Sequence, residues 1–183
     1  MMKSVLISIQ PKWCELIASG KKTVEVRKTK PKLETPFNCY IYCTKDKNHC
    51  FCTDDGEQYT HIGNGKVIGE FVCDKIYDIT PHFDTPTFPN QYICGWDYGK
   101  EFDCLSFEEL TSYLNGKKGY GWHISDLVIY DEPRELMGFW TIKCTNKKGG
   151  CGECETKPDC IKPITRPPQS WCYVEEVKDD GTN

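Results

Sequence analysis

Residues 20–28 read Gly-Lys-Lys-Thr-Val-Glu-Val-Arg-Lys and bring a hydroxyl (Thr23), a carboxylate (Glu25), a guanidinium (Arg27) and three ammonium groups (Lys21, Lys22, Lys28) to short spacing. Val24 and Val26 are β-branched and alternate with Thr23, Glu25 and Arg27, which is the side-chain period of a strand. The valines are expected to face a core while Thr23, Glu25 and Arg27 project together from the other face. That set suits a polar anionic ligand. A solvated outer strand with surface charge pairs is the competing reading of the same residues.

A second set could hold a metal. Cys144, Cys151, Cys154 and Cys160 follow one another with short polar spacers, and the pair in Cys151-Gly-Glu-Cys154 is half of a zinc knuckle. Four thiolates close a tetrahedral shell around a structural Zn²⁺ and leave no position for water. No apolar residue lies between these cysteines, so order in the segment is expected to depend on the metal. Free thiols are the alternative. Cys172 is the runner-up fourth ligand. However, residues 171–174 read as a core strand in which Cys172 serves as a small hydrophobe. His49, Cys50, Cys52 and His61 could also ligate a metal, although their spacing matches no strong zinc pattern.

Three further groups bear on the first site. Lys12 and Trp13 open a helical run, and Trp13 belongs either to the core or to a lip where it stacks a base. Cys14 beside it would need a depressed pKa and a base partner to act as a nucleophile, so burial is expected instead. Trp122, His123 and Ser125 fall in a later strand, where alternation puts His123 and Ser125 on one face. His123 reads either as a satisfied structural histidine or as a ligand contact.

The whole chain bounds what these groups can do. It has 183 residues, 38% of them apolar, with ten Tyr, eight Phe and five Trp, and is therefore globular and long enough for a sizeable core. The net charge of −4 argues against a general nucleic-acid binder. The charge is uneven, with residues 11–32 at +5 and the remainder at −9. A local basic patch suits a compact anionic ligand better than a long duplex track. The first apolar run is five residues long and is not a signal peptide, and no run is long enough to span a membrane. A cytoplasmic protein is expected. Thirteen cysteines without an export signal point to metal ligation and buried thiols rather than a disulfide scaffold.

These groups need elements to position them. Strands are expected over residues 2–9, 23–27, 38–44, 65–73, 123–130 and 139–144, with Gly69 marking a bulge or a close approach. A short helix is expected over 11–19, with Pro11 at its first position and Gly20 just past its end. A second helix opens at Ser106, where Ser106 and Glu109 form a capping box, and closes at Gly116. Residues 29–36, 45–64 and most of 74–99 read as loops, and 131–134 as a turn. Short strands with two helices indicate an α+β protein built on a small, partly closed β-barrel.

The run 20–28 closely resembles the signature of ASCH-domain proteins, relatives of the PUA RNA-binding barrel. Residues 5–14, 65–72, 122–127 and 168–174 carry the resemblance along most of the chain, which is similar to the version found in phages and prophages of Gram-positive bacteria. The resemblance implies a PUA-like barrel over 1–143; the cysteine spacing adds a zinc-knuckle insertion over 144–163, followed by a final strand returning over 164–178 and a tail over 179–183. The resemblance also implies RNA or nucleotide binding in a basic groove. Lys12, Lys22, Arg27 and Lys28 would contact phosphate and base edges, Trp13 and Trp122 would stack, and Thr23, Glu25, His123 and Ser125 would lend hydrogen bonds. Small ASCH proteins also hydrolyse acetylated cytidine with a Lys, a Thr and a carboxylate. These roles map onto Lys22, onto Glu25 in place of the Thr, and loosely onto Asp103. Thr23 does not substitute simply, since two residues along a strand is about 7 Å. A phage accessory role, in which the acidic remainder binds a host protein, is the third expectation.

Overall fold

The computed structural model describes residues 3–56, 60–82, 91–94, 104–142 and 161–176. Among these, two α-helices and thirteen strands occur. The largest sheet contains β1 (Ser4–Ile9), β3 (Phe37–Cys43), β6 (Val67–Cys73), β10 (Ser125–Arg134), β11 (Phe139–Ile142), β12 (Ile161–Pro163) and β13 (Trp171–Glu176), in the order β10-β6-β3-β1-β13-β11-β12. Only β1 and β3 pair in parallel. A second, antiparallel sheet runs β2-β9-β7-β8, from β2 (Val24–Arg27), β9 (Gly119–His123), β7 (Ile76–His82) and β8 (Gln91–Cys94). A hairpin of β4 (Cys52–Asp54) and β5 (Thr60–Ile62) stands apart. The described strands form no closed ring, so the expected partly closed barrel is two sheets and a hairpin.

The centre of the large sheet is buried on both faces. Val5, Ile7 and Ile9 of β1 join Cys39, Ile41, Cys43, Phe71 and Trp122 in the main core. Leu6, Tyr40, Tyr42 and Val174 face the other way, onto Leu136 and Phe139. Alternation in β1 and β3 therefore separates two cores rather than core from solvent. Gly69 lies opposite both Ile41 and Ile129, and an added Cβ would sit 2.3 Å from the Val128 carbonyl oxygen. This is the close approach expected there.

The helix α1 (Pro11–Ala18) has Pro at its first position and buries Pro11, Cys14 and Ile17. Gly20 follows with φ +71, and Lys22 N–H donates to the Leu16 carbonyl, so the chain doubles back tightly under α1 into β2. The helix α2 (Phe107–Leu114) carries the complete Ser106–Glu109 capping box and ends at Asn115 in the left-handed region. Eight residues are too few for a stable isolated helix. Leu110 and Leu114 pack with Val26 and Ile79, and burying each contributes about 1.5–3 kcal/mol.

Three expectations change. The strand foreseen over 123–130 splits at Ile124, where Asp126 takes φ +46 and turns the chain from the small sheet to the large one. The turn foreseen at 131–134 is instead the continuation of β10. This outer strand tolerates Pro133 through a register shift between Ile129 and Arg134. The loop foreseen over 45–64 contains the β4–β5 hairpin, and the loop with a strand piece foreseen over 74–99 contains two paired strands, β7 and β8. No described helix is long and apolar enough to cross a membrane.

Candidate functional site

The strand β2 does not present its polar face to solvent. All four of its residues are buried, and Lys22 just before it is only 2% exposed. Val26 faces α2, while Glu25 and Arg27 face inward on the side that carries Trp122 of β9, opposite Glu25. The valines face a core as expected, Val26 under the apolar cover of α2, and the charged face is buried as well, on the floor of a cleft, so the reading as a solvated outer strand does not hold.

The three charges form one network. Arg27 Nη2 lies 2.9 Å from Glu25 Oε1 and donates to the Ser8 carbonyl at 2.7 Å. Lys22 Nζ lies 3.5 Å from Glu25 Oε2 and donates to the Val24 carbonyl at 2.8 Å. Arg27 Nη1 reaches Ser170 Oγ at 3.5 Å. Arg27 Nε and Trp122 Nε1 are buried without a hydrogen-bond partner. Of the two, Arg27 lines the cleft, and its unmatched Nε–H can serve an arriving acceptor, since an unpaired buried donor costs about 1–3 kcal/mol.

Above the network lies an open cleft of about 970 Å³. Its walls are α1 with Gln10 and Trp13, α2 with Glu108, Glu109, Ser112 and Tyr113, and the segment from Pro167 to Ser170. Lys22 Nζ stands 5.3 Å and Lys12 Nζ 4.1 Å from the Trp13 ring centroid. Trp13 is half-buried, at the lip. Burial pushes the Tyr113 phenol above its usual value, so it remains a hydrogen-bond donor at neutral pH.

The lining is not uniformly basic. Lys22 and Arg27 are met there by Glu25, Glu108 and Glu109. Lys12 stands at the rim, 3.9 Å from Glu109, and Lys28 is exposed, 4.8 Å from the centroid of the Tyr113 ring. Thr23 lies outside the cleft lining and its carbonyl accepts from Ile124 N–H. Trp122 is fully buried against Phe37 and Trp171, which removes it from any stacking role. His123 Nδ1 sits 2.6 Å from Asp74 Oδ1 and Ser125 Oγ donates to the Val72 carbonyl, and neither lines the cleft. The split at Ile124 is what separates these two residues from it. Asp103 lies outside the described residues, as do Cys144, Cys151, Cys154 and Cys160. Cys172 sits in β13 against the second core.

Burial pushes the Cys14 thiol well above its usual value, with neighbouring Cys43 adding to the rise, so it is no nucleophile. His49 pairs with Glu15 and His61 with Asp55. Among the described residues, no group of three or more His, Cys, Asp or Glu is placed to hold a metal. Tyr113, Glu108, Glu109 and Ser170 are wall residues that the sequence did not single out. Only the capping box hinted at α2, and nothing in the local pattern places 167–170 beside β2.

The model of the ASCH domain matches residues 7–110. The chain belongs to the ASCH domain family. Among solved structures, the ASCH protein of Zymomonas mobilis is similar at 19% identity and a TM-score of 0.51, over 94% of this chain and 87% of that one. A point mutant of the same Zymomonas mobilis protein matches at 20% identity and a TM-score of 0.50, over 95% and 91%. At that identity the likeness extends to the fold. No curated protein matches the chain. ASCH is a family linked to RNA binding.

Proposed function

We propose that this ASCH domain binds RNA by taking one nucleotide into the cleft. The observation that carries the reading is the buried Lys22–Glu25–Arg27 network on its floor. Buried charges are poor stabilisers relative to apolar residues of the same volume, so a network of three at a cleft floor points to recognition. Glu25 accepts from base N–H groups, while Lys22 and the unpartnered Arg27 Nε donate to base carbonyls. Trp13 stacks on the base at the lip, and Lys12 and Lys28 meet phosphate at the rim. The mixed charge of the lining suits a base more than a phosphate in the interior. Titration of ribonucleoside monophosphates and a short RNA, followed by Trp13 fluorescence, tests this. Saturable binding lost in Lys22→Met and Arg27→Met is expected, and absence of any binding overturns the reading.

A second reading rests on one distance, the 3.5 Å between Lys22 Nζ and Glu25 Oε2. Glu25 would act as base toward water and Lys22 would polarise a carbonyl, giving an amidohydrolase on an acetylcytidine-like nucleoside. Glu25 is held by two cations and no positioned hydroxyl, which ranks this reading second. Hydrolysis of acetylcytidine by the wild type would reverse the order. Activity appearing only in Glu25→Thr would keep it.

Two other readings accompany the first. The structural Zn²⁺ is assigned to Cys144, Cys151, Cys154 and Cys160 on their spacing. A cytoplasmic location is supported by free thiols at Cys14, Cys39, Cys43 and Cys73. The PUA-like and phage-type affinities are those implied by the motif resemblance.

A further inference from the structure

We infer that Cys50 and Cys52 form a redox-active dithiol, which closes to a reversible internal disulfide by exchange with a small-molecule disulfide. Cys52 opens β4 and Cys50 stands just before it, and neither lines the cleft. Their Sγ atoms are 3.5 Å apart. Among the eight described free cysteines, these two are the exposed ones. Cys14, Cys39, Cys43 and Cys73 are buried, and Cys104 and Cys172 are half-buried.

The local sequence Cys-Phe-Cys explains the contact. Burial alternates over residues 50–54, exposed, buried, exposed, buried, exposed, which is the side-chain period of extended chain. Phe51 goes into the main core and Thr53 Oγ1 donates to the Asp131 carbonyl, so both thiols are left on the solvent side. Phe51 is held tightly. An added Cβ on Gly63 would lie 2.7 Å from its ring, and its carbonyl accepts from Gly63 N–H at 2.9 Å. Asn64 fixes the chain on both sides of Cys50: its Oδ1 accepts from Phe51 N–H at 2.8 Å, and its Nδ2 donates to the His49 carbonyl at 2.8 Å. The two thiols are thus held together before any reaction, which raises their effective concentration toward each other.

Exchange runs through a mixed disulfide. The Cys50 thiolate attacks one sulfur of the incoming disulfide, whose S–S bond breaks and releases a first small thiolate. The Cys52 thiolate then attacks Cys50 Sγ and expels the second. Two electrons pass from the pair to the small disulfide, and the two cysteine protons end on the two small thiols released. The hydrogen bond with Cys50 raises the Cys52 thiol above its usual value, so Cys52 keeps its proton through the first attack and is freed for the second once Cys50 is in the mixed disulfide. Closure brings the sulfurs from 3.5 Å to about 2.05 Å, within the reach of side-chain rotation. Two residues of extended chain span about 6.4–6.8 Å, the long end of what a disulfide bridges, so the bond is strained and readily reduced. Two sulfurs alone leave a thiophilic cation half-coordinated, and among the described residues no third His, Cys, Asp or Glu joins them.

Trypsin releases residues 48–66 as one peptide, and Cys50 and Cys52 are the cysteines it contains, so the state of the pair can be read by mass. The reduced full chain is equilibrated in glutathione buffers of rising oxidised share, quenched in acid, alkylated and digested. Cys50→Ser, Cys52→Ser, Asn64→Ala and a synthetic peptide of residues 48–66 are treated alike. In the wild type the peptide should appear unalkylated and lighter by two hydrogens, at an oxidised share roughly tenfold or more below that needed by the synthetic peptide. Reduced glutathione should reverse it. Each Cys→Ser variant should instead keep one glutathione on its remaining sulfur, since no second thiol resolves it. Asn64→Ala should shift toward the synthetic peptide; if circular dichroism shows its fold lost, the comparison of wild type with synthetic peptide carries the test alone. A wild-type pair that stays alkylated throughout, that collects glutathione on both sulfurs, or that oxidises no more readily than the synthetic peptide overturns the proposal. So does a loss of zinc from freshly purified Cys50→Ser, which would make the pair a metal ligand.

Discussion

Replacing Arg27 by methionine separates the two reasons for which a buried ion network can exist. Arg27 is only 7% exposed, donates to Glu25 and to the Ser8 carbonyl, and reaches Ser170 Oγ. Removing it leaves Glu25 buried with Lys22 as its remaining cation at 3.5 Å, and leaves the Ser8 carbonyl without its guanidinium donor. Breaking a buried pair from one side costs about 3–5 kcal/mol. For a domain of this size each kcal/mol lowers Tm by about 2–4 °C. A fall of roughly 6–20 °C is therefore expected. The informative partner is the triple Lys22→Met, Glu25→Leu, Arg27→Met. It leaves no stranded charge and fills the same space with apolar groups, so its stability should equal the wild type or exceed it by about 1–4 kcal/mol. RNA binding should nonetheless fall at least 100-fold, because charge-assisted hydrogen bonds worth about 1.5–3 kcal/mol each have gone from the floor. Calorimetric melting of wild type, single and triple, alongside titration of each with RNA, reads both quantities. A triple as unstable as the single would make the network a scaffold rather than a recognition device. A triple that binds RNA like the wild type would remove the cleft from the function.

Other outcomes follow from single contacts. Gly69→Ala should destabilise by about 1–3 kcal/mol, because its Cβ would meet the Val128 carbonyl oxygen rather than a movable side chain; an unchanged melting temperature would contradict the packing of β10 on β6. Burial, with Asp74 adding to it, pushes the Cys73 thiol up to about 12 from 9.0. Its neutral form is thus favoured by folding, and the stability it contributes is complete below pH 9 and lost as pH rises toward 12. Urea midpoints should then fall more steeply above pH 9 in the wild type than in Cys73→Ala, and parallel curves would refute this. Freshly purified protein should carry one Zn²⁺ per chain, with release on Cys151→Ser; metal analysis without zinc, or mapping of Cys144, Cys151, Cys154 and Cys160 as disulfides, would end the zinc assignment.

Much of the local structure was legible in the residues themselves. Pro11 and Gly20 bracket α1, Ser106 and Glu109 open α2, and alternation marks β1, β3 and β6, because caps, φ preferences and side-chain period are properties of a few neighbouring residues. The grouping of Glu25 and Arg27 was legible for the same reason, since a strand period of two sets them together, whereas Lys22, before the strand and off that period, joins them only through the turn under α1. That both sides of β2 are buried was not legible. That depends on α2, eighty residues on, which covers Val26 and leaves the charged face to the interior. The reach of β9 was equally hidden. Trp122, His123 and Ser125 adjoin in sequence, yet one is buried in the core, one pairs with Asp74 and one opens a strand of the other sheet. Tyr113 and Ser170 carry no signal of their own, and they become cleft walls only when α2 and the segment before β13 close over β2. Local chemistry chose the strands, the turns and the reactive set. The cleft exists only through contacts between distant segments, whose energies depend on shape and burial that no short window of residues contains.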